Sequence, residues 1–236
     1  MATTWGQFKA QVAAGLNPFG DCKVEIDATT YTALFNTYCL QYLKEFSQIT
    51  KMFFARGVTA TLAIGQSSIF TDDITVITTG PRTATIFEVT RLKLEDDWIP
   101  TAEANDIMAT DVSEGISCWS HSRENQIIFD GSYASATKTI TFQGWYDHPS
   151  FPGNSDNAVN GLSILVPASQ VDTAVKYCVM KLLEGVAIDE PARVNLAELS
   201  DFLSVQIPRI CSQNGFYIAG RRKVRGRGYA NALYRP

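Results

Sequence analysis

Two histidines in 236 residues, His121 and His148, leave little room for imidazole chemistry. Cys118-Trp-Ser-His121 has the spacing of a metal half-site, but no second Cys/His pair completes it. The chain has no Gly-x-x-x-x-Gly-Lys-Ser/Thr run and no Gly-x-Gly-x-x-Gly after a strand, so neither phosphate-cradling loop is present. It also lacks the Gly-x-Ser-x-Gly of a nucleophile elbow. The doublets Asp72-Asp73 and Asp96-Asp97 sit at turn signals and read as solvated surface, with nothing convergent around them. The sequence displays no reaction. The expectation is a protein that is not an enzyme and uses no cofactor or metal.

Other absences bound the class. No apolar run is long enough to cross a bilayer. The start, Met1-Ala2-Thr3-Thr4-Trp5, has no basic segment leading into an apolar core, so no signal peptide is expected. The five cysteines (Cys22, Cys39, Cys118, Cys178, Cys211) are odd in number and scattered. They read as free thiols in a reducing compartment, with Cys39 and Cys178 on apolar helix faces. The hydrophobic share of 45% and charged share of 19% are those of a folded chain, not a disordered one.

What is present is helical at both ends. Trp5, Phe8 and Val12 form a short amphipathic pattern with Thr4 as N-cap, broken by Gly15, Pro18 and Gly20. Asp27 to Thr30 then offer caps for a long helix over Tyr31 to Phe54. Its apolar stripe is Tyr31, Leu34, Phe35, Tyr38, Cys39, Tyr42, Leu43, Phe46, Ile49 and Phe53, with Gly57 as its end. A helical hairpin is expected from Val166 to Ile210. One stripe runs from Val171 to Leu183, with Gly185 as its stop. Asp189-Glu190-Pro191 signals the next start, and Leu196, Leu199, Phe202, Leu203 and Ile210 form the second stripe. Pro208 should kink or stop that second helix. Neither stripe of the hairpin can be buried alone, so Tyr31 to Phe54 is expected to pack on Val171 to Leu183.

Between these helices the period changes. Val58 to Ile64, Ile74 to Thr79, Thr83 to Leu94, Gln126 to Phe129 and Thr139 to Tyr146 read as strands, rich in Thr, Val, Ile and aromatics. Gly65, Asp72-Asp73, Gly80-Pro81 and Asp130-Gly131 mark turns. Trp98-Ile99-Pro100 and Thr101 to Glu114 break the strand pattern and read as a loop with a short helix, and Asp147 to Gly161 reads as a returning loop. The expected fold is α+β: a helical bundle body (1–57 and 166–212), an inserted antiparallel β-rich subdomain (58–165) and an extended basic C-terminal arm (213–236).

The net charge of -4 conceals an asymmetry. Residues 219–236 hold six of the 20 basic residues and none of the 24 acidic ones. The tail is therefore formally +6, and residues 1–218, with 14 basic residues, are -10. The tail carries Arg221, Arg222, Lys223, Arg225 and Arg227, then Tyr229, Leu233 and Tyr234. As a nucleic-acid arm, its arginines would meet phosphates and its tyrosines would stack on bases. As a docking arm, Tyr229, Leu233 and Tyr234 would anchor it while the cations meet acidic groups of a neighbouring protein. It also reads as a solvated tail, against which its apolar end argues.

The order of elements resembles that of the head-to-tail adaptor (connector) proteins of tailed bacteriophages. The likeness covers most of the chain in outline, and its most similar part runs from about Trp119 to Ile210. It rests on Gln126-Ile-Ile-Phe129, the strand Thr139 to Tyr146, the step Leu165-Val166-Pro167, the helix through Leu183 and the turn Asp189-Glu-Pro-Ala192. The resemblance implies a structural virion protein at the head-tail junction, made in the host cytoplasm. It implies a homo-oligomeric ring, usually of twelve copies, that extends the DNA channel below the portal. The arm would dock on the portal protein, tail proteins would bind the opposite side, and DNA would pass without specific binding. No membrane is involved. The alternatives are another tail or head-completion protein, or a nucleic-acid-binding protein with a basic C-terminal arm.

Overall fold

The computed structural model describes residues 2–19, 32–77, 82–103, 107, 115–121, 125–151, 160–184 and 190–223. Helices and antiparallel sheets make the chain a mixed α+β protein. It divides into two compact units, one of Met1–Met52 with Gly153–Pro236, the other of Phe53–Pro152.

The first unit is helical. α1 (Trp5–Gly15) opens on a capping box: Gln7 N donates to Thr4 Oγ1 at 3.3 Å, and Thr4 N donates to Gln7 Oε1 at 3.0 Å. α2 (Thr32–Ile49), α3 (Val171–Leu183) and α4 (Glu190–Lys223) follow. α3 is the hub, packed against α1, α2 and α4. Val171, Ala174, Val175, Tyr177, Cys178, Val179, Leu182 and Leu183 are all buried on it. Each large apolar side chain so buried stabilises the unit by about 1.5–3 kcal/mol. α2 brings Phe35, Cys39, Leu43 and Phe46 to this core, so the expected packing of the two distant segments is observed. Cys39 and Cys178 are buried free thiols, and desolvation pushes the Cys39 thiol up to about 12.

Several boundaries differ from those the sequence predicts. The helix expected over Tyr31 to Phe54 ends at Ile49. Lys51 takes a left-handed conformation (φ 47°), its N–H reaches Gln48 O at 3.2 Å, and Met52 N–H reaches Ser47 O at 3.1 Å. This is a Schellman ending built on lysine instead of glycine. Phe53 and Phe54 therefore begin a strand, and Gly57 lies inside that strand rather than at a helix end. On the return, Trp5 N donates to Leu162 O, Gly6 N to Asn160 O and Ile164 N to Thr3 O, which ties 160–164 to the first unit. The seams thus fall near 52/53 and 152/153 instead of 57/58 and 165/166. α4 continues through Pro208 and runs on to Lys223, so residues 213–223 are helical, not extended. The predicted features at Asp27 to Thr30, Tyr31, Gly80-Pro81, Gly185 and Asp189 lie outside the described residues, as do 224–236. So do most of Thr101 to Glu114 and residues 152–159 of the returning loop.

The second unit holds eight strands among its described residues. A five-stranded sheet runs β1 (Phe53–Leu62), β8 (Lys138–Tyr146), β4 (Thr83–Leu94), β3 (Thr75–Ile77), with β5 (Asp97–Ile99) also on β4. A three-stranded sheet runs β2 (Ser68–Phe70), β7 (Gln126–Phe129), β6 (Trp119–His121). Every strand pair in both sheets is antiparallel. Ile86, Val89, Leu92, Ile140 and Phe142 from the larger sheet share one core with Ile69, Trp119, Ile127 and Phe129 from the smaller. The three-residue strands β2 and β6 are not predicted, because so short a stretch shows no period, and Trp98-Ile99, expected to break the strand pattern, instead pairs with β4 as part of β5.

Bulges bend the larger sheet. Gly57 (φ 115°) sits where the β1–β8 register shifts, a conformation other residues rarely adopt. β4 shifts against β8 between Ile86 and Glu88 and again between Val89 and Arg91. Gly144 of β8 faces that irregular stretch, and a Cβ there would lie 2.3 Å from Glu88 O.

Candidate docking site

Of the predicted docking residues, the structure places the backbone of Arg221, Arg222 and Lys223, at the end of α4. Asn195 Nδ2 donates to Pro18 O at 3.2 Å near its start. Lys176 Nζ of α3 lies 3.8 Å from the centroid of the Phe202 ring at its middle. Further along, Cys211 Sγ donates to Ile49 O at 3.3 Å and Asn214 Nδ2 to Thr50 O at 2.7 Å. Ala192, Leu203 and Ile210 are buried along the same face. The spacing of three and four keeps these contacts on one side. The opposite side carries Glu198 and Asp201 between Val194 and Val205, which are 60% and 64% exposed.

Arg221, Arg222 and Lys223 occupy the last helical turn, about 10–13 Å of helix beyond Asn214. Their side chains, with Arg225, Arg227, Tyr229, Leu233 and Tyr234, lie outside what is described. Cations suit this end, because the last carbonyls of a helix carry partial negative charge. The helix thus carries Arg221, Arg222 and Lys223 beyond Asn214, whose bond to Thr50 O is the last anchor among the described side chains.

Most of the residues weighed for chemistry have structural employment. The backbone N–H of Val89 donates to His121 Nε2 at 3.2 Å, so this ring nitrogen is holding the β4 bulge. Cys118 O accepts from Asp130 N at 3.3 Å. Asp130 in turn binds Ser117 N through Oδ1 at 2.9 Å and the Ser117 hydroxyl through Oδ2. Burial pushes the Asp130 carboxyl up, but the hydrogen bonds from Ser117 and Cys118 outweigh it and hold it below its ordinary value. Asp96 pairs with Lys93 at 2.9 Å, and Asp72 and Asp73 lie exposed in a short turn. His148 is buried between Phe53 and Phe151, with Nδ1 2.9 Å from Pro149 O. Among the described residues no group of three or more His, Cys, Asp or Glu is placed to hold a metal. No described helix is long and apolar enough to cross a membrane.

His121 gives a pH prediction. Burial lowers its pKa below 6.5, with Glu88 opposing. The unfolded chain takes up this proton as pH falls through about 6.5, while the folded chain resists until lower pH. The stabilisation is therefore fully present above 6.5 and is lost as pH falls through the folded value. Urea midpoints measured from pH 8 to 5 should fall for the wild type and fall less steeply for His121→Gln, which keeps an acceptor without titrating. Parallel pH profiles would show that His121 does not supply the effect.

Sequence reasoning missed one feature of α2. It joined ten apolar residues of the Tyr31 to Phe54 segment into a single stripe, whereas the structure divides those on α2. Phe35, Cys39, Leu43 and Phe46 are buried, but Leu34 and Ile49 are 43% and 48% exposed, with Tyr38 and Tyr42 half-buried beside them. The width of the stripe was the available signal, since adjacent apolar pairs spread over more arc than one helix neighbour covers. The chain matches no protein-family model, and no curated protein matches it at a significant level.

Proposed function

We propose that the chain is a structural protein of a phage head-to-tail junction, an adaptor that forms a ring below the portal and links capsid to tail. The observation that supports it most is the chain's organisation. A helical unit is closed from both ends of the sequence around an inserted strand-rich unit, and its last helix leads into a basic terminus. In this reading the four helices are the bundle body and form the ring wall. The strand-rich unit contacts neighbouring subunits or tail proteins. The arm begins as the last turns of α4 and docks on the portal through Arg221, Arg222, Lys223, Arg225 and Arg227, with Tyr229, Leu233 and Tyr234 as anchors. Arginine suits that task because its planar fork binds carboxylates in two-point fashion. The formal -10 over residues 1–218 suits a channel that must pass DNA without holding it.

The second reading, a nucleic-acid-binding protein, draws on the same Arg-Gly-Tyr terminus. Truncation after Gly220 separates the two. Mixed with portal-bearing heads, the full chain should give ring-shaped additions at one vertex by electron microscopy. The truncated chain should keep its circular dichroism spectrum and lose attachment. Unchanged attachment would remove the arm from the docking role. Tight, steeply salt-dependent DNA binding that vanishes on truncation would favour the second reading.

A further inference from the structure

The exposed flank of α2 has an order of its own. Along it lie Leu34, Tyr38, Gln41, Tyr42, Glu45 and Ile49, with steps of 4, 3, 1, 3 and 4 residues. At 3.6 residues per turn these positions share one side of the helix and span roughly 22 Å. The spacing is the same read from either end. Tyr38 and Tyr42 stack on one another with ring centroids 5.9 Å apart. Glu45 is the one charged side chain of the set, and its position is fixed. Oε1 accepts from Gln41 Nε2 at 3.2 Å, and Oε2 lies 3.4 Å from the Tyr177 hydroxyl.

We infer that this flank is a self-complementary surface on which a second copy of the chain docks antiparallel, its twofold axis passing between Gln41 and Tyr42. Leu34 of each copy then meets Ile49 of the other, an apolar pair closing each end. Tyr38 meets Glu45, a phenol donor against a carboxylate with acceptor capacity to spare. Gln41 meets Tyr42 at the axis. The charge selects the direction. A parallel pair in register would set Glu45 against Glu45, whereas the antiparallel pair sets each carboxylate against a donor. One helix on one helix is smaller than a standard interface, so the pairing is weak and depends on concentration. It concerns the free chain in solution and does not depend on the junction reading.

Sedimentation of the purified full-length protein tests it without heads or portal. The apparent mass should climb from 26.0 kDa toward twice that value as concentration rises. Leu34→Asp and Ile49→Asp alter exposed positions, should keep the helical circular dichroism signal, and should hold the protein at the monomer mass. Two cysteine variants read the geometry, with oxidised wild type as the baseline for native thiols. Gln41→Cys lies beside the axis and should cross-link to itself. Leu34→Cys should not, because the two copies of residue 34 lie roughly 22 Å apart. Cross-linking of both variants would mean a parallel pair, and cross-linking of neither would mean no such pair; either overturns the inference. So would a wild type that stays at 26.0 kDa, or a larger assembly that Leu34→Asp leaves unchanged.

Discussion

Gly144→Ala is expected to destabilise the strand-rich unit by about 3 kcal/mol or more, at the upper end of what overpacking does. The added methyl would sit 2.3 Å from Glu88 O and 3.1 Å from Val89 Cα. Both are backbone atoms of the adjacent strand, held by its pairing with β8, so no side-chain rotation relieves the contact. β8 is the central strand of the larger sheet, paired with β1 on one side and β4 on the other, and cannot move away from one without disturbing the other. Denaturant unfolding followed by the fluorescence of Trp119 and Trp145 would measure the loss. Ala55→Gly, a neighbouring change in the same sheet that only removes a methyl, should cost less. Equal stability of Gly144→Ala and wild type would mean that the β4 bulge adjusts freely.

Leu182→Asp is the matching test of the helical unit. Leu182 is buried on α3, the helix against which the other three pack. A carboxylate there leaves water for an apolar core, and an unpaired buried charge should cost roughly 3 kcal/mol or more. Loss of far-UV helical signal, or a much lower urea midpoint for that signal, is the expected result. Leu182→Met, which conserves volume, should cost less than about 1.5 kcal/mol. If Leu182→Asp unfolds with the wild-type midpoint, α3 is not the keystone of the unit.

Long periodic segments were legible in the sequence. The edges of β4 and β7 fall where predicted, and the Thr4 cap and the α2–α3 pairing follow from side chains whose spacing has one good solution. The misreadings have physical causes. Phe53 continues the helical spacing of Phe46 and Ile49, so only backbone geometry reveals that the helix has ended. That geometry uses Lys51 at a left-handed position where glycine would have announced it. Pro208 costs α4 a hydrogen bond, yet contacts at Phe202, Cys211 and Asn214 on either side hold the helix together. In the candidate docking site, the cations were legible as composition. That three of them close a 34-residue helix depends on anchors to Pro18, Ile49 and Thr50, partners more than 160 residues away in sequence.

The discontinuous helical unit has a consequence for synthesis. α2 is complete at Ile49, but its partner α3 is complete only at Leu183, after the whole strand-rich unit has been made. At 5–20 residues per second the wait is roughly 7–27 s. Through that interval Phe35, Leu43 and Phe46 leave the ribosome with no α3 to cover them, while residues 53–152 already hold all the strands of their own sheets. The strand-rich unit is thus positioned to fold first, and the nascent N-terminal helices are the segment left with apolar side chains uncovered. Slowing translation between residues 50 and 170 lengthens that exposure, and with it the chance that two nascent chains meet through their unfinished cores.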